Sequence, residues 1–183
     1  MNNINFTASN KLYKKVSKLI PTASQTFSKS AIQYSKGVSP LFLEKGNGAI
    51  VWDIDGNQYI DYVGALLPII LGYNDKDVNL AIRNQLKKGI SFSLPTTIEL
   101  ELAELIVKHI PCAEMVRFAK NGSDVTSAAI RLARAYTGKE IIAVSGYHGW
   151  HDWYIGTTTR DLGVPKKISK FTKSFEFNNI NSF

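Results

Sequence analysis

The sequence is poor in cysteine and in long apolar runs, and each shortage excludes a class of protein. A single cysteine, Cys112, cannot form an internal disulfide, which favours a reducing compartment. The longest apolar run, residues 63–71, is broken by Gly64 and Pro68, well short of the roughly 18 apolar residues of a membrane span. The amino terminus lacks the basic-then-apolar layout of a secretory signal. These shortages predict a cytoplasmic protein without a membrane partner.

Acidic residues are also fewer than basic ones, which raises the question of nucleic-acid binding. The chain has 183 residues with 22 Lys+Arg against 15 Asp+Glu, a net charge of +7 at pH 7. The lysines cluster near the two ends, at residues 11–18 and 166–173, and neither cluster lies in a recognisable nucleic-acid module. We interpret them as solvated faces and expect no nucleic-acid partner. An anionic small ligand remains possible.

The amino-terminal part predicts an arm and a hairpin. Apolar residues on one stripe predict an amphipathic helix over residues 11–20 that Pro21 stops. Residues 21–40 are polar without a sustained period and suggest an arm that packs on another surface. Residues 49–53 and 58–63 flank an Asp-Gly turn, which is a strong hairpin signal.

The remainder predicts helices followed by a strand–helix–strand unit. Helices are expected over residues 75–88 and 96–109, the second with the capping-box pair Thr96 and Glu99. Residues 114–119 then predict a strand, residues 121–137 a helix that ends at Gly138, and residues 140–145 a second strand. This order is typical of a βαβ unit in a parallel sheet.

The turn between the first strand and its helix is the first candidate site. In open α/β sheets, ligands lie beyond the carboxyl ends of the strands. Gly122 lets the backbone approach a ligand, and Ser123 offers a hydroxyl and an N–H at a helix start, which favours phosphate. The alternative is that Ser123 or Asp124 merely caps the helix.

The second candidate is the aromatic and histidine-rich segment 147–154, which follows the next strand. We expect it at the same sheet edge as Gly122, where a phosphate site beside aromatic rings would suit a flat, phosphorylated ligand. A metal site from His148, His151 and Asp152 is the alternative, although no second ligand cluster supports it. We therefore expect no metal. Nothing in the sequence pairs Cys112 with a base, so it is interpreted as structural.

Several ordered motifs together resemble a known family. Residues 51–62, VWDIDGNQYIDY, resemble the WDxDGNxYID signature of class III aminotransferases, which are pyridoxal-phosphate enzymes of fold type I. Residues 115–124 resemble the family's MVRFxxSGTEA phosphate-binding segment, and residues 131–138 and 147–149 continue the match in register. Within the family, the chain is similar to glutamate-1-semialdehyde 2,1-aminomutases.

The resemblance implies an α/β fold of the fold type I PLP-transferase kind, truncated. Residues 1–72 would form the arm, helix and β-hairpin, and residues 73–183 the first part of a mostly parallel large domain. It implies a pyridoxal 5′-phosphate cofactor, amino-group transfer with a small amino donor and a keto or aldehyde substrate, and a homodimer in the complete enzyme.

The resemblance also assigns site residues. Gly122 and Ser123 would hold the cofactor phosphate, Tyr147 would stack on its ring, and His148 would lie beside it. Lys29 stands where the aminomutase has a carboxylate-binding arginine, and Leu66 where it has a substrate-pocket tryptophan. These two would contact the substrate.

Two catalytic residues of the family have no counterpart in the matched region. The Schiff-base lysine and the aspartate that pairs with the pyridine nitrogen lie beyond it, so no catalytic residue is expected in this chain. The sequence therefore predicts an amino-terminal fragment of an enzyme that is inactive alone. The alternative is a non-catalytic PLP-binding remnant or an interaction module of a split enzyme.

Overall fold

The computed structural model describes residues 4–35 and 37–183 and divides the chain into two compact units. The first unit ends at Leu94, and the second spans Pro95–Phe183. The domain boundary expected at residue 72 concerns the complete protein and stays a prediction. Each unit has its own sheet.

The first unit is built around a small antiparallel sheet. It contains α1 (Thr7–Val16), β1 (Leu43–Asn47), β2 (Ile50–Asp53), β3 (Gln58–Ile60) and α2 (Lys76–Leu86). The strands pair in the order β1-β2-β3, with Asn47 opposite Ile50 and Ile50 opposite Ile60. The predicted hairpin is therefore confirmed, and β1 joins it as an unpredicted edge strand.

The hairpin turn is held by one carboxylate. Asp53 is fully buried, and its Oδ1 accepts from the backbone N–H groups of Asp55 at 3.0 Å and Asn57 at 2.8 Å. Its Oδ2 accepts from the Asn57 side-chain amide and the Tyr59 hydroxyl, both at 2.8 Å. Four donors around one buried carboxylate explain how the turn tolerates an interior charge.

The turn also caps a distant helix. The Asp55 carboxylate accepts from the backbone N–H of Ala8 at 2.6 Å and of Ser9 at 2.8 Å, and from the Ser9 hydroxyl. These N–H groups belong to the first turn of α1, whose own N-cap residue Phe6 supplies no side-chain bond. The bounds of the helix expected over residues 11–20 are therefore wrong. The helix starts earlier, at Thr7, because a carboxylate 47 residues away caps its first turn, and it ends at Val16.

The second unit carries two capped helices. It contains α3 (Thr97–His109), α4 (Gly122–Thr137), β4 (Ile142–Val144), α5 (Asp152–Ile155), α6 (Lys166–Ser169) and β5 (Thr172–Ser174). The predicted capping box of Thr96 and Glu99 starts α3. Gly138 ends α4 in the left-handed conformation at φ 68°, as its position predicts.

The predicted strand–helix–strand unit needs one correction. Residues 114–119 do not form a strand, and β4 pairs in parallel with β5, with Ile142 opposite Thr172. A strand exists only where a partner supplies its hydrogen bonds, and no such partner for residues 114–119 lies in the described part of the chain. The helix between the two predicted strands is nevertheless confirmed.

The core of each unit is small. Buried apolar side chains include Ala31 and Val51 in the first unit and Val144 and Tyr154 in the second. Many large apolar side chains are exposed, on the helices as well as in the loops. Among the described residues, no helix has both the length and the apolar content to cross a membrane.

Candidate functional site

The first turn of α4 presents unused backbone donors. The Asp124 carboxylate turns back and accepts from the backbone N–H of Asn121 at 3.3 Å and from its side-chain amide at 3.1 Å. The N–H groups of Gly122 and Ser123 have no acceptor in the part of the chain that the structure describes. A Cβ placed on Gly122 meets nothing within 4 Å. An anion can therefore approach this backbone closely, and the helix dipole favours it.

The Ser123 hydroxyl lies between this turn and the aromatic segment. Ser123 is 9% exposed, and its Oγ accepts from the Trp150 backbone N–H at 3.3 Å. Gly149 packs against it so closely that a Cβ there would lie 2.4 Å from this Oγ, at a φ of +111°. Because the Trp150 bond uses a lone pair of the oxygen, the hydroxyl proton remains able to donate to a ligand.

The aromatic segment therefore lies against the start of α4, as the sequence predicts. The Thr126 hydroxyl donates to the backbone carbonyl of His148 at 2.9 Å, which fixes the segment to the helix. Tyr147 is 76% exposed and packs at 87° to the ring of Tyr154, with 5.7 Å between ring centroids. Most of the Tyr147 side chain is therefore accessible to a flat ligand. Thr126, which the sequence reasoning did not single out, gives no signal except its position one turn into a predicted helix.

His148 has a defined tautomer in this arrangement. Its Nε2 lies 2.8 Å from the backbone carbonyl of Ser145, so Nε2 carries the proton and donates. The ring packs edge-on against Tyr154, with 5.5 Å between centroids. Its Nδ1 is the nitrogen left for another partner, and the expected place of His148 beside the cofactor stays a prediction.

The alternative metal set is not brought together. Among the residues that the structure describes, no three His, Cys, Asp or Glu side chains converge as metal ligands. His151 instead bonds through Nδ1 to the Ser127 hydroxyl at 2.7 Å. Cys112 is an exposed free thiol.

The two predicted substrate residues share a cavity within the first unit. Lys29 and Leu66 both line a space of about 660 Å³, together with the rings of Tyr34, Tyr59 and Tyr73. Leu66 has a left-handed backbone at φ 68°, between Ala65 at 52° and Leu67 at 82°, a run that is costly for non-glycine residues.

The acidic group of this cavity is already engaged. The Asp61 carboxylate accepts from the Tyr73 hydroxyl at 2.6 Å and from the backbone N–H groups of Val63 and Gly64. The Tyr73 bond and these N–H groups hold the pKa of Asp61 below its ordinary value, and the same bond raises the pKa of Tyr73 to about 12. Among the described residues no carboxylate forms an ion pair with Lys29, which leaves its ammonium for an anionic group.

Comparison with known proteins identifies the family. The model of the family Aminotransferase class-III matches residues 32–182. The chain belongs to the class III aminotransferases. The match includes the hairpin, α4 and the aromatic segment, the regions that carry the motifs described above.

Curated relatives include both reaction types of the family. The chain is 39% identical over 172 residues to a 3-aminobutyryl-CoA aminotransferase of Cloacimonas acidaminovorans, covering 93% of this chain and 41% of the relative. It is 44% identical over 160 residues to a glutamate-1-semialdehyde 2,1-aminomutase of Persephonella marina, covering 81% of this chain and 37% of the relative. The chain thus spans about 40% of the length of the relatives it matches.

The fold agrees with the family. A solved transaminase with PLP bound superposes with a TM-score of 0.85 and 27% identity, covering 98% of this chain and 43% of that chain. The expected α/β class, that of fold type I PLP enzymes, is confirmed.

The start of α4 fits a phosphorylated aromatic ligand on three observations. Two N–H groups of Gly122 and Ser123 lack protein acceptors within the described residues, and open space lies where a Gly122 side chain would be. The Ser123 hydroxyl can still donate. An exposed tyrosine ring lies on the same segment that contacts Ser123. The phosphate and ring of one ligand have matching partners here.

Proposed function

We propose that this chain contributes the pyridoxal 5′-phosphate-binding site of an enzyme that transfers amino groups. The observation that carries the proposal is the pair of acceptor-free N–H groups at Gly122 and Ser123, together with the exposed ring of Tyr147 on the segment that contacts Ser123. Family membership and the matching relatives support the same chemistry. When bound, the cofactor supplies an electron sink for proton transfer at the substrate carbon that bears the amino group.

Each residue has a distinct role on this proposal. The N–H groups of Gly122 and Ser123 and the Ser123 hydroxyl bind the phosphate, and the α4 dipole adds about 0.3–1 kcal/mol. Tyr147 stacks on the pyridine ring. His148, with its proton held on Nε2 by the Ser145 carbonyl, presents Nδ1 as an acceptor beside the ring. None of these groups performs the covalent chemistry, so the 183 residues alone are not expected to turn over substrate.

The substrate contacts, the location and the oligomeric state are proposed from the cavity of the first unit and from the exposed apolar side chains. The Lys29 ammonium attracts the carboxylate of a small amino donor, although lysine lacks the two-pronged geometry of arginine. Leu66 and the tyrosines around it give the cavity an apolar wall. We propose a cytoplasmic homodimer of the complete enzyme, because the exposed apolar side chains exceed what these 183 residues cover. The 183 residues would be a fragment of that enzyme.

Binding of pyridoxal 5′-phosphate to the 183-residue chain tests the proposal. Gly122→Val places its Cβ where no protein atom lies within 4 Å, so it should obstruct the ligand more than the fold, and Ser123→Ala removes one donor. We expect the dissociation constant, measured by fluorescence quenching, to rise at least about tenfold in the double variant. Pyridoxal without phosphate should distinguish the variants far less.

A matched control lies at the other end of the same helix. Thr137→Ala removes a hydroxyl that bonds to the Ala133 carbonyl at the carboxyl end of α4, about 20 Å from the phosphate site. It should bind the ligand as tightly as the unaltered chain. Equal affinity in all the proteins, the double variant included, would refute the proposed site.

A further inference from the structure

A side-chain network next to the proposed phosphate site has no role in the function described so far. It joins Ser127 on α4 to His151 and Trp153 of the aromatic segment. His151 Nδ1 lies 2.7 Å from Ser127 Oγ, and the Trp153 indole N–H donates to the same oxygen at 3.0 Å. All three side chains are half-buried.

The surroundings of the imidazole favour one direction for its bond to Ser127. Ser127 Oγ accepts from Trp153 and keeps its own proton, which it can donate to Nδ1. The Asp124 carboxylate lies on the side of Nε2 and favours the tautomer with the proton there, so Nδ1 is the nitrogen that accepts. The neutral ring then carries its proton on Nε2. That nitrogen faces the Asp124 carboxylate, with Nε2 and Oδ1 separated by 3.8 Å.

The negative charge of the Asp124 carboxylate would repel an anion bound at this turn. It lies in the first turn of α4, next to the N–H groups that would bind phosphate. Its Oδ2 is turned toward Asn121, and its Oδ1 lies on the side of His151. The imidazole therefore faces this negative charge while its other nitrogen holds the segment that carries Tyr147.

We propose that His151 is a positioning residue for the phosphate-and-ring site. It accepts the Ser127 proton and so fixes the aromatic segment on α4, where the Trp150 N–H donates to Ser123 and the Thr126 hydroxyl donates to the His148 carbonyl. This role rests on the proposed function, since the site that it positions is the one proposed for pyridoxal 5′-phosphate.

Histidine nitrogen resonances of the unliganded chain test the network without any ligand. At a pH of about 8.5, where imidazoles are neutral, His151 should show an unprotonated Nδ1 and a protonated Nε2. Ser127→Ala should shift the His151 Nδ1 resonance and the Trp153 indole proton and leave His109 unchanged. A protonated Nδ1, or resonances that ignore Ser127→Ala, would overturn the proposal.

Two isosteric variants test the positioning itself. His151→Asn keeps an acceptor where Nδ1 was, and His151→Gln keeps a donor where Nε2 was, while His151→Phe keeps neither. We expect pyridoxal 5′-phosphate to bind about tenfold more weakly to the Phe and Gln variants and nearly normally to the Asn variant. Since 2.7 Å is a hydrogen bond and 3.8 Å is not, the acceptor should matter more.

The outcomes separate this role from the proposed function. The matched control is His109→Asn, at an exposed position near the end of α3, which should bind normally. If the unaltered chain fails to bind the cofactor, the proposed function falls and the positioning role falls with it. If the unaltered chain binds and all three His151 variants bind equally well, only the positioning role is wrong. The positioning role is supported if His151→Phe binds the cofactor more weakly, His151→Asn binds it nearly normally, and neither variant changes the melting temperature.

Discussion

The two units differ in whether their polar groups already have hydrogen-bond partners. In the first unit the hairpin carboxylates are surrounded by donors from the same unit, four at Asp53 and three at Asp55. In the second unit the N–H groups of Gly122 and Ser123 have no acceptor among the described residues, and the Tyr147 ring is mostly exposed. Both regions lie within the family match.

The hairpin motif and the α4 turn therefore differ in function: one has its polar groups satisfied within the fold, and the other has polar groups available to a ligand. The hairpin motif carries three aspartates, yet those carboxylates are occupied by their own unit and have little capacity left for a ligand. The α4 turn carries fewer charges, but its donors are available. The hairpin motif therefore maintains the architecture, whereas the site that we propose for the cofactor lies in the second unit. The three comparisons below test this division, beginning with the largest expected effect.

Replacing Asp53 should have the largest effect on folding. Asp53→Ala leaves the Tyr59 hydroxyl, the Asn57 amide and two backbone N–H groups without their buried acceptor. We expect the free energy of unfolding, from urea titration, to fall by about 3 kcal/mol. Glu44→Gln, an exposed change on the same sheet, should stay within about 0.5 kcal/mol of the unaltered chain. Equal losses in the two variants would show that Asp53 is not the centre of the hairpin.

A second comparison uses two glycines of the second unit with similar backbones. Gly146 and Gly149 have φ values of +82° and +111°, so alanine is strained at either position. Only at Gly149 does a Cβ meet an obstacle, the Ser123 hydroxyl at 2.4 Å, because nothing lies within 4 Å at Gly146. Gly149→Ala should therefore cost about 2 kcal/mol more than Gly146→Ala in urea titration.

The same two glycine variants also test the contribution of Ser123 to ligand binding. Gly149→Ala should also weaken binding of pyridoxal 5′-phosphate, since it displaces the Ser123 hydroxyl. Gly146→Ala should bind more tightly than Gly149→Ala in a parallel titration. If the two alanine variants match in both stability and affinity, the contact between Gly149 and Ser123 does not form.

The smallest expected effect concerns the carboxylate that caps α1. Burial raises the pKa of Asp55, but the bonds from the Ser9 hydroxyl and the N–H groups of Ser9 and Ala8 outweigh burial and leave it below its ordinary value. Asp55→Asn keeps the shape and removes the charge. It should cost about 1 kcal/mol at neutral pH, the usual contribution of an N-cap.

The pH dependence of this variant has a definite sign. Since the folded pKa is the lower one, the stabilisation is present above the unfolded value of about 3.9 and is lost as pH falls through the folded pKa. The difference between Asp55→Asn and the unaltered chain should therefore shrink below about pH 4. A difference that stays constant from neutral to strongly acidic pH would contradict the charged cap.

The parts of the fold that the sequence predicts correctly have local causes. The capping pair Thr96 and Glu99, the stop at Gly138 and the Asp-Gly turn each act within a few residues, so their signals lie within a short window. The sequence also predicts that Ser123 and the aromatic segment lie near each other, since each follows a predicted strand, although residues 114–119 do not form theirs.

The parts of the fold that the sequence predicts wrongly depend on partners that are distant along the chain. The bounds of α1 depend on Asp55, and the pairing of β4 depends on β5 some 30 residues later, with Ile142 opposite Thr172. Residues 114–119 have strand-like composition without a partner strand among the described residues. Similarly, neither the Ser127–His151 bond nor the cavity shared by Lys29 and Leu66 has a periodic or short-range signal.

The remote cap of α1 also has a consequence for synthesis. The helix has 10 residues, too few for a stable isolated helix, and its capping carboxylate lies 47 residues downstream of Ala8. At roughly 5–20 residues per second, a ribosome needs about 2–10 s to add that stretch. This helix is therefore synthesised well before its cap, and the nascent chain can complete it only after the hairpin has emerged.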